Sequence, residues 1–335
     1  MNAVGVDAGT NSYEIFAIKK GDFFAESFES KVVREDPESF VEAVESYEAD
    51  VYAGLSGYGL PIKKFSQLSE KEILLMTLNL DKEKSIGLRS VIEIIRKKKM
   101  NFYTIPGVIH LLTVPAWRKF NKIDMGTSDK LCSAVLAVLE LSEEIEAEKQ
   151  NFILAEVGYG FSSFLAVKNG RIVDGIGGTS GFPGYSSIGS LDAELAYLLG
   201  NFPKSLIFSF GVKSFVEEHG GNAVEILAEF VMKGLKAVEV SIGKAEFCLL
   251  SGKFAKELER RIAEEYDTRI LKGFGIGKQS AQGACVIANA IAGGEFRRIV
   301  DHMQIFSAKG TVLDYLPADL KNRILEKLNL YFSSN

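Results

Sequence analysis

Short apolar segments that end at an acid and a glycine recur along the chain. In Val4–Phe24, an apolar strand ends at Asp7, a glycine-containing turn leads into a second strand, and a Lys-Lys-Gly-Asp turn leads into a third. Ile153–Val173 has the same order at a constant offset of 149 residues, with Glu156 in the place of Asp7. Its second turn contains Asn-Gly, a dipeptide typical of tight β-hairpins. The shared acid, glycine and hairpin turn favour an internal duplication over two unrelated hairpins.

Both copies are followed by segments whose apolar residues recur at helical or strand spacing. The predicted helices cover Pro37–Ala49, Ala223–Ile242, Phe254–Tyr266 and Ala318–Leu330, and the predicted strands cover Val51–Gly54 and Phe247–Leu250. This order predicts an α/β protein of two similar domains, residues 1–145 and 146–335, divided near a charged stretch at 142–150. The last helix could pack back on the first domain.

Charge, hydropathy and cysteine placement argue against several classes of binding partner. A net charge of −5 argues against a general nucleic-acid binder, because such a protein needs a basic surface. No apolar run is long enough to span a bilayer, and Asp7 interrupts the first apolar stretch, which argues against a signal peptide. The three cysteines are far apart in apolar surroundings, as expected for buried thiols in a reducing cytoplasm. We therefore expect a cytoplasmic protein that acts on a small molecule, with a homodimer left open.

The first turn, Asp7-Ala8-Gly9-Thr10-Asn11-Ser12, has the chemistry of a phosphate loop. Gly9 lets the backbone approach a phosphate closely because it has no Cβ. Thr10, Asn11 and Ser12 offer hydroxyl, amide and backbone donors to phosphate oxygens. A carboxylate would repel phosphate, so the role expected for Asp7 is to hold Mg²⁺, through water. The alternative is that Asp7 only caps a turn.

The second copy repeats this design in Glu156-Val157-Gly158-Tyr159-Gly160-Phe161-Ser162-Ser163. Gly158, Tyr159, Gly160 and Ser162 are its candidate phosphate-binding residues. Two such loops that face each other would grip the β- and γ-phosphates of a nucleotide from both sides. If Asp7 and Glu156 both organise Mg²⁺, they must approach each other across the cleft and repel when it is empty.

These motifs resemble those of the actin-like ATPase superfamily, which includes sugar kinases, acetate kinases, heat-shock chaperones and actin. The resemblance implies two duplicated ribonuclease H-like domains with ATP and Mg²⁺ in the cleft between them. The adenosine motif of the family matches a strand and turn that end in Ser251, Gly252 and Lys253. The two connecting helices of the family match Thr127–Leu139 and Ser280–Ala292.

Within the superfamily, the chain looks most like the acetate and butyrate kinases, and in particular like archaeal proteins suggested to be butyrate kinases. It shares their Gly-x-Gly loop followed by a Lys-Asn-Gly turn. Met125 and Asp129 replace both histidines of their H-G-T-S-H motif, Glu156 replaces a third histidine, and an expected arginine is missing. Acyl-phosphate chemistry requires positive charge around the moving phosphoryl group, so other residues must supply it.

Asp129 favours a second interpretation. In the hexokinase-like branch, an aspartate at the start of the first connecting helix accepts the proton of a substrate hydroxyl. Asp124 is a nearby competitor, and a carboxylate at a helix start can also serve stability alone. The resemblance to the acetate and butyrate kinases nevertheless implies a kinase that phosphorylates a short carboxylic acid. A hydroxyl kinase with Asp129 as base, and an ATP-dependent switch without a transfer reaction, remain as alternatives.

Several residues near predicted strand ends and helix starts are candidates to contact the substrate. They are Ser56, Gly57, Tyr58, Arg118, Thr127 and Ser128. Arg118 could bind a carboxylate or a phosphate, although a surface role fits it equally well. The glycine-rich segment at 175–184 could close over the substrate as a flap.

Overall fold

The computed structural model describes residues 1–55, 57–80 and 88–333. Its strands form two five-stranded sheets. The first sheet contains β1 (Ala3–Ala8), β2 (Ser12–Lys19), β3 (Asp22–Glu29), β4 (Val51–Gly54) and β5 (Phe102–Tyr103). The second contains β6 (Asn151–Val157), β7 (Ser162–Lys168), β8 (Arg171–Ile176), β9 (Phe247–Ser251) and β10 (Thr268–Ile270).

Helices cover the sheets and connect the two halves. In chain order they are α1 (Ser30–Glu35), α2 (Pro37–Glu45), α3 (Glu70–Thr77), α4 (Leu88–Lys97), α5 (Ala116–Lys119), α6 (Ser128–Leu141), α7 (Ala193–Leu199), α8 (Val212–His219), α9 (Ala223–Glu239), α10 (Ala255–Ile262), α11 (Gln279–Ile291), α12 (Arg297–His302) and α13 (Ala318–Ser333). None of the helices within the described residues is long and apolar enough to cross a membrane.

The two sheets have the same topology, which confirms the predicted α/β fold of duplicated halves. Strands run in the order β3-β2-β1-β4-β5 in one sheet and β8-β7-β6-β9-β10 in the other. In each sheet the first three strands in chain order pair in antiparallel fashion. The last two run parallel to the first strand of their half, β1 or β6. The hairpin turns also match, because Lys20-Gly21 and Asn169-Gly170 all have positive φ, as type I′ turns require.

Each half of the chain contributes one helix that packs on the sheet of the other half. α6 comes from the first half of the chain and contacts β6, whereas α11 comes from the second half and packs on β1, β2 and β4. No room exists for a side chain at these contacts: a Cβ on Gly5 would lie 2.1 Å from the Ala281 carbonyl oxygen, and one on Gly283 would lie 1.9 Å from the Cys132 carbonyl oxygen. The glycines therefore let α11 lie directly on a strand and on α6.

The buried apolar side chains follow this arrangement. One cluster lies within the first half, one within the second, and a third is shared between them. The shared cluster contains most of α6 and α11, and Leu328 of the last helix also belongs to it. The division at residue 145 stays a prediction, but the shared cluster ties the segments on either side of it into one packed unit. Predicted and observed elements agree in type, and their ends differ by a few residues.

Candidate nucleotide cleft

A cleft of about 560 Å³ lies between the halves, where β1 and β6 end and where α6 and α11 begin. Ligands in α/β folds commonly bind beyond the carboxyl ends of strands, and here two such edges face each other. The starts of two helices add main-chain N–H groups and a partial positive charge at the same place. The arrangement suits an anion.

The two predicted phosphate loops contain the same internal backbone hydrogen bond. The Gly9 amide donates to the Ser12 carbonyl oxygen at 2.9 Å, and the Gly158 amide donates to the Phe161 carbonyl oxygen at 3.0 Å, at positions related by the repeat. The loops also face each other closely. A Cβ on Gly160 would lie 3.9 Å from Thr10 Oγ1. Residues of both loops line the cleft, among them Asn11 and Tyr159.

Each acid at the end of a central strand is paired with a lysine. Asp7 forms an ion pair with Lys278, the residue that immediately precedes α11. Only 5% of the Asp7 side chain is exposed, compared with 32% of the Lys278 side chain. Burial lowers the pKa of Lys278, but the Asp7 carboxylate outweighs this effect and raises it above the ordinary value. Lys278 is therefore a charged ammonium at the edge of the first loop.

Lys130, in the first turn of α6, has the equivalent role in the other half. It pairs with Glu156, and its Nζ lies 2.6 Å from Asp129 Oδ2. The Lys130–Glu156 contact is an ion pair without hydrogen-bond geometry at Glu156 Oε2. Burial lowers the pKa of Lys130, but the two carboxylates outweigh it and raise the pKa well above its usual range. Asp7 and Glu156 are thus neutralised by lysines and do not face each other uncompensated, contrary to the repulsion expected from the sequence.

Asp129 is held on both of its oxygens. Its Oδ1 accepts a hydrogen bond from the Thr127 hydroxyl, and its Oδ2 meets Lys130. Burial would raise the pKa of Asp129, but Lys130 and Thr127 outweigh it and hold the pKa below its ordinary value. A carboxylate in this state is a weak base.

Buried hydroxyls around the loops lack partners. Within the described part of the chain, the Oγ atoms of Ser162, Ser187 and Ser280 are buried without a hydrogen bond. Ser280 lines the cleft, and Ser187 Oγ lies 3.2 Å from where a Cβ on Gly160 would stand. Buried polar groups are normally satisfied, and of these three serines only Ser280 lines the cleft, where a phosphate oxygen could accept a hydrogen bond from it.

The same residues are compatible with Mg²⁺ that arrives with a nucleotide. No group of three or more His, Cys, Asp or Glu side chains able to hold a metal occurs among the described residues. Mg²⁺ in phosphate-transfer sites typically takes one or two carboxylates and completes its shell with phosphate oxygens and water. Asp7 and Glu156 would be those carboxylates, and each would then share its charge between the metal and its lysine.

The predicted adenosine turn lies on the second half's side of the cleft. Gly252, with φ of +90°, and Lys253 line the cleft, and Ser251 is buried at the end of β9 beside Glu156. Lys253 Nζ lies 4.8 Å from the centre of the Tyr159 ring, a cation–π distance.

Asp124 anchors the glycine-rich segment and does not point free into the cleft. Its Oδ2 accepts hydrogen bonds from the Thr179 amide and hydroxyl, both at 2.9 Å, and its Oδ1 accepts one from the Gly126 amide at 3.0 Å. A Cβ on Gly177 would overlap the Asp124 carboxylate. The segment at 175–184 is therefore fastened against residues 124–126 in this structure.

The remaining substrate candidates fall into three groups. Gly57, Tyr58, Thr127 and Ser128 line the cleft, and the Ser128 amide and hydroxyl fix the Gly57 carbonyl oxygen at 3.0 and 3.1 Å. Arg118 lies outside the cleft, because its guanidinium donates to the carbonyl oxygens of residues 173 and 241 at 2.8 and 3.4 Å. Ser56 lies outside the described residues.

Residues 5–318 match the model of a family described as "Protein of unknown function (DUF1464)". The chain belongs to that family. No curated protein matches the sequence.

Solved structures show which fold this DUF1464 chain has. A propionate kinase from Francisella tularensis superposes with a TM-score of 0.56 at 14% identity, over 85% of this chain and 98% of the other. Acetate kinases from Entamoeba histolytica and Porphyromonas gingivalis both superpose with a TM-score of 0.54, at 13% and 12% identity. They cover 80% and 84% of this chain, and 90% and 98% of their own. The predicted α/β fold of duplicated halves is thereby confirmed as the fold of these acetate and propionate kinases.

Sequence reasoning missed the residues that supply positive charge in this DUF1464 cleft. Lys130 and Lys278 both stand at the start of a predicted connecting helix, and this shared position was the available signal. Ser187 and Ser280 were missed because a serine after a loop has no distinctive pattern. Lys204, which also lines the cleft, comes from a short 3₁₀ turn at Lys204–Phe208 that the sequence did not predict.

Proposed function

We propose that this protein is a Mg-ATP-dependent phosphotransferase whose acceptor is a carboxylic acid. The observation that carries the proposal is the pair of ammonium groups, Lys130 and Lys278, which are held by ion pairs at helix starts beside two facing phosphate loops. Phosphoryl transfer depends on positioning and on electrostatic stabilisation of the moving group, and cations fixed beside the phosphates are suited to both.

The nucleotide part rests on the symmetry of the cleft. Both loops present a glycine and main-chain donors, and the unpaired hydroxyl of Ser280 lies in the lining of the same cleft. The glycine turn at Gly252 follows the strand next to Glu156, where the superfamily places adenosine. ATP would therefore lie with its phosphates between the loops and its base towards Lys253.

A carboxylate acceptor fits the state of Asp129 better than a hydroxyl acceptor does. A general base works best when its pKa lies near the working pH, whereas Lys130 and Thr127 hold the pKa of Asp129 low and occupy both of its oxygens. A carboxylic acid is already ionised at neutral pH and needs no base. The lysines also offer the positive charge that the missing histidines and arginine would have supplied.

Hydroxylamine trapping tests the reaction. Incubation with Mg-ATP, a carboxylic acid and hydroxylamine should yield a hydroxamate and one ADP for each hydroxamate. Asp129→Asn should keep the rate within about tenfold, because the residue is not a base, whereas loss of a general base costs roughly 10²- to 10⁴-fold. Consumption of ATP with polyols or sugars but no hydroxamate with any acid would refute the carboxylate reading. Slow ATP hydrolysis unaffected by either class would favour the switch.

A further inference from the structure

A second cavity of about 980 Å³ adjoins the nucleotide cleft. Four residues line both spaces: Tyr58, Asp124, Thr179 and Lys204. The two cavities thus meet at one junction.

The walls of the second cavity are largely apolar. They include Leu191, Phe202, Ile207, Leu316, Leu320 and Ile324. These six side chains come from the second half of the chain, including the last helix, and Leu78 and Ile123 of the first half complete the apolar wall. Leu320 and Phe202 are exposed. The cationic side chains of Lys122 and Arg323 also line the cavity but are solvent-exposed. An apolar cavity of this size is far larger than acetate needs.

Lys204 places a positive charge at the junction. Its Nζ donates to the carbonyl oxygens of Thr77 and Leu78 at 2.7 and 2.8 Å, at the end of α3, and lies 5.5 Å from the centre of the Tyr58 ring. An ammonium has three N–H donors, so one remains for a ligand. In the described part of the chain no carboxylate lies within ion-pair distance of Lys204, unlike Lys130 and Lys278. Burial lowers the pKa of Lys204 to about 8, which leaves it mostly charged at neutral pH.

From this junction we infer that the acceptor is a carboxylic acid with an extended apolar chain, whose carboxylate binds Lys204 and whose chain occupies the second cavity. The inference rests on the proposed function and specifies its substrate. In the reaction, a carboxylate oxygen forms the new bond to the γ-phosphorus while the bond from that phosphorus to the bridging oxygen breaks. ADP keeps the electron pair, the product is an acyl phosphate, and no oxidant or proton donor is needed.

The test is a chain-length series of acetate, butyrate, hexanoate and octanoate in the hydroxylamine assay. Each methylene that becomes buried should raise kcat/KM by about fourfold. Because the cavity is partly open, we expect roughly a hundredfold gain from acetate to octanoate. Binding of octanoate in the presence of Mg-ADP, measured by calorimetry, should follow the same order.

Two pairs of variants test the two contacts of the acid, namely its chain with the second cavity and its carboxylate with Lys204. Ile207→Glu puts a charge in the apolar cavity and should lower kcat/KM for octanoate far more than for acetate, which removes the preference for octanoate. Leu198→Glu adds the same charge on an exposed surface, where the side chain lines neither cavity, and should change neither. Lys204→Met should raise KM for every acid about ten- to a hundredfold without changing KM for ATP, and Lys204→Arg should restore most of the loss.

The outcomes separate the inference from the proposed function. Hydroxamate formation with acetate at least as fast as with octanoate would leave a carboxylate kinase but overturn the extended acceptor. An unchanged chain-length preference in Ile207→Glu would also overturn it. Equal effects of Lys204→Met on the KM of ATP and of the acid would assign Lys204 a structural role. No hydroxamate with any acid would overturn the proposed function itself.

Discussion

The ion pair between Lys278 and Asp7 can be tested by removing its cation. In Lys278→Met, a side chain of similar length replaces the ammonium, and Asp7 is left as an unpaired carboxylate with 5% of its side chain exposed. Breaking a buried ion pair from one side costs about 3–5 kcal/mol, because the remaining charge stays desolvated. Since 32% of the Lys278 side chain is exposed, water can partly replace it, and we expect the lower end, about 3 kcal/mol.

Thermal unfolding measures the loss of stability in these variants, and turnover measures the loss of the cation beside the phosphates. A loss of about 3 kcal/mol should lower Tm by about 4 °C in a chain of this size. The double variant Lys278→Met with Asp7→Asn should regain most of this stability, because both charges are gone. Phosphotransfer should fall by about 10²- to 10³-fold in the single variant and should not recover in the double variant, because the cation beside the phosphates is still missing.

Lys272→Met is the matched control, because it removes an exposed lysine from the loop just before α11. It should leave both Tm and turnover unchanged. Wild-type turnover in Lys278→Met would refute the role of this lysine in phosphoryl transfer. A double variant that unfolds at as low a temperature as the single variant would refute the energetic coupling of Lys278 to Asp7.

Two further predictions concern buried positions. Burial lowers the pKa of His110 to about 4. The unfolded chain therefore binds more protons between pH 6.5 and 4, and His110 should contribute a loss of about 3 kcal/mol as pH falls through this window. His110→Leu should lack that loss in denaturation curves, while the exposed His219→Leu should retain it, and equal pH slopes in the two variants would contradict the assignment. Gly160→Ala should weaken ATP binding about tenfold, because its Cβ would lie 3.2 Å from Ser187 Oγ and enter the space between the loops. Gly158→Ala, whose Cβ meets the Phe161 carbonyl oxygen at 3.4 Å, should have a smaller effect by calorimetry, and equal losses would argue against a narrow gap at Gly160.

The duplicated topology could be predicted because its signals are local. An acid, a glycine and a hairpin turn lie within about twenty residues of each other in each copy, and their conformations depend mainly on those residues. Element ends were less certain. The apolar pattern extended α9 to Ile242, but the helix ends at Glu239 and Val240 is 82% exposed.

The charges of the site could not be predicted because they depend on contacts far apart in sequence. Lys278 and Asp7 are separated by 271 residues, and they meet only because α11 lies on the sheet of the other half. A lysine at a helix start is ordinarily exposed to solvent, so the sequence pattern did not predict the partial burial of Lys278. For Arg118 the sequence left an anion site and a surface role equally open, and the fold directs its guanidinium to the carbonyl oxygens of residues 173 and 241.

The position of α11 has a consequence for biosynthesis. The first sheet is completed at Tyr103, yet the helix that covers β1 and β4 ends only at Ile291. At typical rates of translation, the roughly 190 residues in between take about 10–40 s to synthesise. During that interval the apolar face under α11 has no native cover. Nascent chains stalled before residue 279 should therefore bind chaperones that recognise exposed apolar surface, and chains stalled well beyond Ile291 should release them.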